Sequence, residues 1–453
     1  MADRVRGREM GWEALLPVPD RGVLRAAALH GLAWLLVANL IGDWLAVLLL
    51  FPKAGEWLGP LSYGRWMPVH MNLQLYGWTA LPLVAWLLKL YRADESWTAE
   101  WGRAALWLWS LALGLGGVSW LAGGASGKLF LDWTGYPRVL FPAAIVFLWC
   151  VVALAYLRGW WSERPDAGLV KAAKAVGLLL LLPVPVLLYL APDTHIYPAV
   201  NPSTGGPTGA SQLESSLIVV VMLLVLPYGL VKAKACKNIW AWVCWGTVAA
   251  EGLLCASLGR GDASHHEPAQ WMALATMVVW VVLIPQYWRG FEWPAYAWPW
   301  LKASVAWWAL LVVLGSWLFL PGVLDRLKFT DGLVSHSLLA MAGFATSLLL
   351  LVLVVLLEED GERLDSAWSF WLWNGAALAY ILLFLAAGWI EGGNPAFTMT
   401  PGPLRNAFYW IRLAQGLAMT AASGNWLVRL ARVPKRAPVE IAEMEDVAEG
   451  SLA

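Results

Sequence analysis

Runs of about twenty apolar residues recur along this chain, and no other feature constrains its fold as strongly. A helix rising 1.5 Å per residue needs about that many residues to cross a hydrocarbon layer of roughly 30 Å. Twelve such runs can be drawn, near 24–51, 68–90, 104–123, 139–157, 176–191, 212–231, 239–258, 268–288, 303–321, 333–357, 370–390 and 406–428. They are continuous rather than alternating, which speaks against a β-barrel. With 60% hydrophobic and 14% charged residues, an ordinary soluble domain is excluded. The expected fold is an all-α membrane protein of twelve transmembrane helices over residues 24–430. A polar segment, 1–23, precedes it, and an acidic tail, 431–453, is expected to be disordered.

Charge orients the bundle. Of the 31 Lys and Arg residues, 22 fall at or beside the segment ends that share a side with the N-terminus. Eight fall on the other side, and Arg412 lies inside the last run. This bias places both termini in the cytoplasm. The net charge of zero gives no sign of a nucleic-acid partner. The four cysteines form no CxxC pair, so neither a disulfide frame nor a zinc knuckle is implied. Most of the 34 tryptophans are expected at the headgroup level, where amphipathic indoles are favoured. No cleavable signal is evident, because the first 20 residues are polar and the first apolar run is too long. No soluble domain, nucleotide-binding glycine motif or internal repeat stands out.

Two outside links are rich in turn-forming residues. Residues 192–211 and 391–404 are dense in Pro, Gly, Asn and Thr, and the first is expected to fold over the outer face. A third outside link carries His265, His266 and Glu267 between two apolar runs. Two adjacent imidazoles at the mouth of a bundle suit a transition metal, and equally suit simple loop polarity.

His70 lies near the outer end of the second run, and His336 opens the tenth among Ser335, Ser337, Ala340, Ala342 and Gly343. Each imidazole has two readings, a hydrogen bond to a neighbouring helix or an axial heme ligand. The small residues around His336 suit a close helix contact or a flat macrocycle. Glu214 and Glu251 are carboxylates within apolar runs, where an ionised group is costly. Proton relay or metal ligation stands against a neutral, hydrogen-bonded carboxyl for both. His30 and His195 belong to no constellation and are read as structural.

Taken in order, these positions resemble subunit I of the heme-copper oxidase superfamily, which includes oxygen-reducing oxidases and nitric oxide reductases. The resemblance spans roughly residues 20–430. It rests on twelve runs with both ends inside, on His70, on the His265-His266 pair after the seventh run, and on the Val334-Ser-His-Ser-Leu-Leu-Ala-Met-Ala-Gly-Phe344 run. It implies a high-spin heme on His336, a low-spin heme on His70, and copper or non-heme iron on His265 and His266. Heme of the b type, reduction of oxygen or nitric oxide, and a bacterial cytoplasmic membrane follow from it. So does an electron-donating partner subunit, a cytochrome c or copper protein. The chain departs from the pattern where Leu338 replaces the second histidine of His-x-His, and where the sixth run lacks any histidine. Glu214 is then the expected carboxylate partner of His265 and His266. Two other readings stay open: a non-catalytic heme-binding or structural relative, and a transporter.

Overall fold

The computed structural model describes residues 21–128, 130–161, 166–198, 212–235, 239–258 and 264–432. The regular secondary structure of these residues is helical, apart from an isolated bridge between Ala233 and Phe291. The first helix, α1, covers Arg21–Leu50. In the second, Tyr63–Asn72, the π-helical Leu73–Thr79 and Ala80–Leu90 run on without a break as α2. Then follow α3 (Thr98–Leu121), α4 (Pro137–Arg158), α5 (Gly168–Leu190), α6 (Gln212–Val225) and α7 (Ile239–Leu258). The remainder are α8 (Pro268–Trp288), α9 (Ala295–Leu318), α10 (Asp331–Leu364), α11 (Ala367–Glu391) and α12 (Pro403–Ala431).

Local chemistry marks the ends. Proline takes the first helical position of α4, α8 and α12, where its missing N–H would be unpaired anyway. The Thr330 hydroxyl accepts the Gly332 N–H to open α10, and the Ser366 hydroxyl accepts the Ser369 N–H to open α11. Among the described residues, nine helices are long and apolar enough to cross a membrane; α2, α6 and α12 are not among them. The expected fifth run, 176–191, starts too late. Helix α5 begins eight residues earlier because Lys171 and Lys174 lie within the helix rather than in a loop.

Helix α10 is the central post, packing against α1, α2, α9 and α11. Its most apolar stretch is 78% buried, against 11% for α5 and for α7, whose sides face outward. Some tryptophans serve the interior instead. Trp78, Trp120, Trp133, Trp280, Trp300, Trp373 and Trp426 are fully buried. Several indole N–H groups reach across the bundle to main-chain carbonyls: Trp109 to Tyr76, Trp288 to Leu223, Trp308 to Trp280 and Trp373 to Ala342, at 2.8 to 3.0 Å. A carbonyl already used by its own helix keeps a second lone pair, so an indole can tie two helices without breaking either ladder.

Candidate metal centre and two buried histidines

His265 and His266 sit in the turn before α8. The Ser264 hydroxyl accepts the His266 backbone N–H at 3.2 Å, and the Ser264 carbonyl accepts that of Glu267 at 3.1 Å. Opposite them, the chain leaving α9 reaches Gly322 at φ 79°, a left-handed conformation that favours glycine. This bend feeds a short helix, Val323–Leu327. The Gly322 N–H donates to one Asp325 oxygen at 3.0 Å and so orients the carboxylate. The other oxygen, Oδ1, lies 2.8 Å from His265 Nε2, 3.1 Å from His266 Nε2 and 3.2 Å from Lys328 Nζ. Bonding by the Gly322 N–H, and then by His265, holds the Asp325 carboxyl well below the usual carboxylate range. His265 is buried, while the His266 side chain is 59% exposed, so one face of the cluster meets solvent.

Two nitrogens and one oxygen within 4.8 Å of one another form a donor set for a transition metal. Ligands held about 2.1 Å from an ion and at right angles to each other lie about 3 Å apart, which is the spacing seen here. The carboxylate in this group belongs to Asp325, not to Glu214. Glu214 instead lines a groove with Leu217, Ile218 and Val221 of α6 and Gly252, Cys255 and Ala256 of α7. Glu251 is buried in α7; one of its oxygens accepts the Trp280 indole N–H at 2.7 Å. Its other oxygen has no hydrogen-bond partner among the described residues.

His70 and His336 are mounted alike. On α1, Trp34 and Gly42 face α2; on α9, Trp307 and Gly315 face α10, with the same spacing of eight residues. The His70 ring rests on Gly42, where an added Cβ would come within 2.8 Å of it; His336 rests on Gly315, at 3.1 Å. Seven residues after each histidine, Gly77 and Gly343 abut Trp34 and Trp307, at 2.5 and 2.6 Å from where a Cβ would stand. A π-helical stretch begins three residues after each histidine, at Leu73 and at Leu339. An internal repeat therefore exists, α1–α2 against α9–α10. The two halves meet where the Trp78 indole donates to the Thr346 hydroxyl at 3.0 Å.

The two rings differ in one respect. His70 Nδ1 is 2.7 Å from the Ala38 carbonyl, which fixes it as the N–H and leaves Nε2 with a lone pair. His336 Nδ1 is buried with no hydrogen-bond partner among the described residues. Leu338, two residues on, packs its side chain against the hydrophobic core. Beyond His70 lies a polar cluster that no reading of single residues suggested. Arg412 of α12 lies beside the phenols of Tyr63 and Tyr380, with Asp331 and His70 in its field. One turn on from Gly416, Thr420 donates to Asp43 at 2.6 Å. His30 bonds the Ser110 hydroxyl at 2.7 Å and meets the Trp107 ring edge-on, in keeping with a structural role. His195, in the link after α5, donates its backbone N–H to the Asp193 carboxylate. Most of the expected outer lid, residues 199–211, lies outside the described residues, as does the tail beyond Arg432.

The chain matches no model of a known protein family, and no curated protein sequence matches it.

Proposed function

We propose that the chain is a redox membrane subunit resembling heme-copper oxidase subunit I, which reduces oxygen or nitric oxide between a heme and a second metal. The observation that carries this reading is the convergence of His265, His266 and Asp325 on one point at the mouth of the bundle. Two histidines and one carboxylate favour non-heme iron over copper.

The reading takes all twelve long helices as membrane crossings with both termini in the cytoplasm. Helix α2 has the length of a span once its π-helical middle is counted. Helix α12 has 29 residues and loses hydropathy chiefly to Arg405, Arg412 and Arg429, of which Arg412 faces other helices. Helix α6 has 14 residues and is the short member.

The residues fit a heme in several respects. The repeated mounts give His70 and His336 glycine-lined seats on the neighbouring helix, and His70 has the anchored Nδ1 common to ligating imidazoles. Heme carries carboxylates, and Arg412 with its two phenols offers a cation and donors beside His70. Bound iron would supply the one-electron chemistry that protein side chains lack. The part of this chain is to hold it, to hold the second metal through His265, His266 and Asp325, and to keep Glu251 as a buried proton carrier. Electrons would come from a partner subunit, a cytochrome c or copper protein, in a bacterial cytoplasmic membrane. Leu338 favours a second reading, a single-heme sensor or structural relative on the same scaffold.

An optical spectrum of the purified, dithionite-reduced protein, with metal analysis on the same sample, tests both. Two heme signals plus one equivalent of iron or copper support the reductase. One heme and no second metal support the relative. No heme and no metal overturn both.

A further inference from the structure

We propose that the cytoplasmic end of the bundle binds the phosphate of an anionic phospholipid, at the mouth of a narrow cleft lined by Arg92, Lys171 and Lys174. This inference rests on the reading of α2 to α5 as membrane crossings, which sets the cleft at the headgroup level of the inner leaflet. The cleft lies where α2 ends, α4 ends and α5 begins, and Tyr91, Tyr156 and Trp160 form its walls. Among the described residues that line it are three cations and one carboxylate, Asp166. Asp166 shows that the cations can converge on an oxyanion. Its oxygens lie 3.3 Å from Arg92 Nη2 and 2.6 Å from Lys174 Nζ. Lys171 has no carboxylate partner among the described residues; its ammonium stands 5.3 Å from the Trp160 ring centroid.

The cleft is held before any ligand arrives. The Tyr91 hydroxyl donates to the Lys174 carbonyl at 2.7 Å, and the Tyr156 hydroxyl to the Lys171 carbonyl at 3.1 Å. These bonds fix the first turns of α5 to α2 and α4, so the backbone that carries both lysines is set before binding. The surroundings suit a lipid rather than a soluble phosphate ester. Trp160 is 55% exposed, and the end of α4 and the start of α5 also expose Leu157 and Leu169, at 48% and 84%. A ligand with an anionic head and acyl chains satisfies both surfaces, and the inner leaflet supplies such molecules.

Native mass spectrometry of the purified full chain, with phosphatidylglycerol or phosphatidylcholine added, tests this. The native protein should retain phosphatidylglycerol about fivefold better than phosphatidylcholine, in line with one well-placed cation near a headgroup. Lys171→Gln and Lys171→Glu should bring the ratio close to one, while Lys171→Arg should keep it. A native ratio of one, or one unchanged in Lys171→Glu, overturns the proposal. Displacement of phosphatidylglycerol by millimolar inorganic phosphate also overturns it, assigning the cleft to a free phosphate. Labelling of Lys171→Cys by a membrane-impermeant maleimide, from each side of sealed vesicles, tests the topology separately. Reaction from the outer face alone would sink the crossing pattern and leave the lipid ratio, measured in detergent, standing.

Discussion

Replacing Gly77 by alanine tests the close seat between α1 and α2. The added Cβ would stand 2.5 Å from Trp34 Cβ and 2.8 Å from its Cγ, where ordinary contacts are 3.4 to 4 Å. Trp34 Cβ is one bond from the main chain, so relief requires α1 itself to move. Overpacking of this kind costs about 1–3 kcal/mol. Alanine returns up to about 1 kcal/mol of helix propensity relative to glycine. A net loss of about 1–2 kcal/mol is expected, measured as unfolding free energy in a detergent titration. Gly343→Ala should behave similarly for a different reason. Its Cβ meets the Trp307 ring at 2.6 Å, and the ring can tilt only by giving up the 2.7 Å bond from its indole N–H to Asn374. Gly375, with nothing within 4 Å, is the control, and Gly375→Ala should be neutral or slightly stabilising. If Gly77→Ala is as stable as Gly375→Ala, the reasoning from helix approach is wrong. Movement of α1 would also lengthen the His70 bond to Ala38, so any heme signal assigned to His70 should change in Gly77→Ala as well.

Other outcomes can be read independently. The purified protein should bind one divalent transition ion in equilibrium dialysis, and His265→Ala or Asp325→Ala should weaken it at least about tenfold, as loss of one ligand in three does; Glu214→Ala should leave it unchanged. His336→Ala should abolish a high-spin heme signal, and an unaltered spectrum contradicts that assignment. Arg412→Gln removes the cation beside Tyr63, Tyr380 and Asp331, which should destabilise the bundle by about 3 kcal/mol; equal stability would show the cluster to be solvated. The Asp325 carboxyl is held below its ordinary range, so the link from His265 and His266 to the Val323–Leu327 helix should persist at neutral pH. It should fail only below about pH 4, where an unfolded carboxylate also protonates, and hydrogen exchange of Val323–Leu327 would report this.

Apolar length was readable from the sequence, since a helix of 1.5 Å rise leaves little freedom in how it crosses hydrocarbon. The histidines also stood out, because few polar side chains interrupt those runs. What remained hidden depends on contacts between distant positions. Asp325 is 60 residues from His265 and reads as loop polarity until Gly322 bends it into place. The repeat has no fixed period, because 36 residues separate Trp34 from His70 and only 29 separate Trp307 from His336. A search for Trp-x7-Gly-x-Trp, shared by Trp34, Gly42 and Trp44 with Trp307, Gly315 and Trp317, would have found it. Arg412 draws its partners from α2, α10 and α11, and nothing local to α12 foretells them. Lys171 and Lys174 hid the start of α5 because ammonium groups near a span end read as loop, although their stems lie along the helix.

The burial of α10 has a consequence for how the protein is made. Every residue from Thr346 to Leu357 is enclosed, yet this helix emerges from the ribosome after nine others. With the helices crossing the membrane as proposed, the faces of α1, α2 and α9 that will receive it wait in lipid. They can wait at little cost, because those faces are apolar and acyl chains solvate them as well as leucine does. Final closure of the bundle is therefore a late event in biogenesis. A chain halted before Asp331 would be inserted in the membrane but unassembled, with an open seam along its centre.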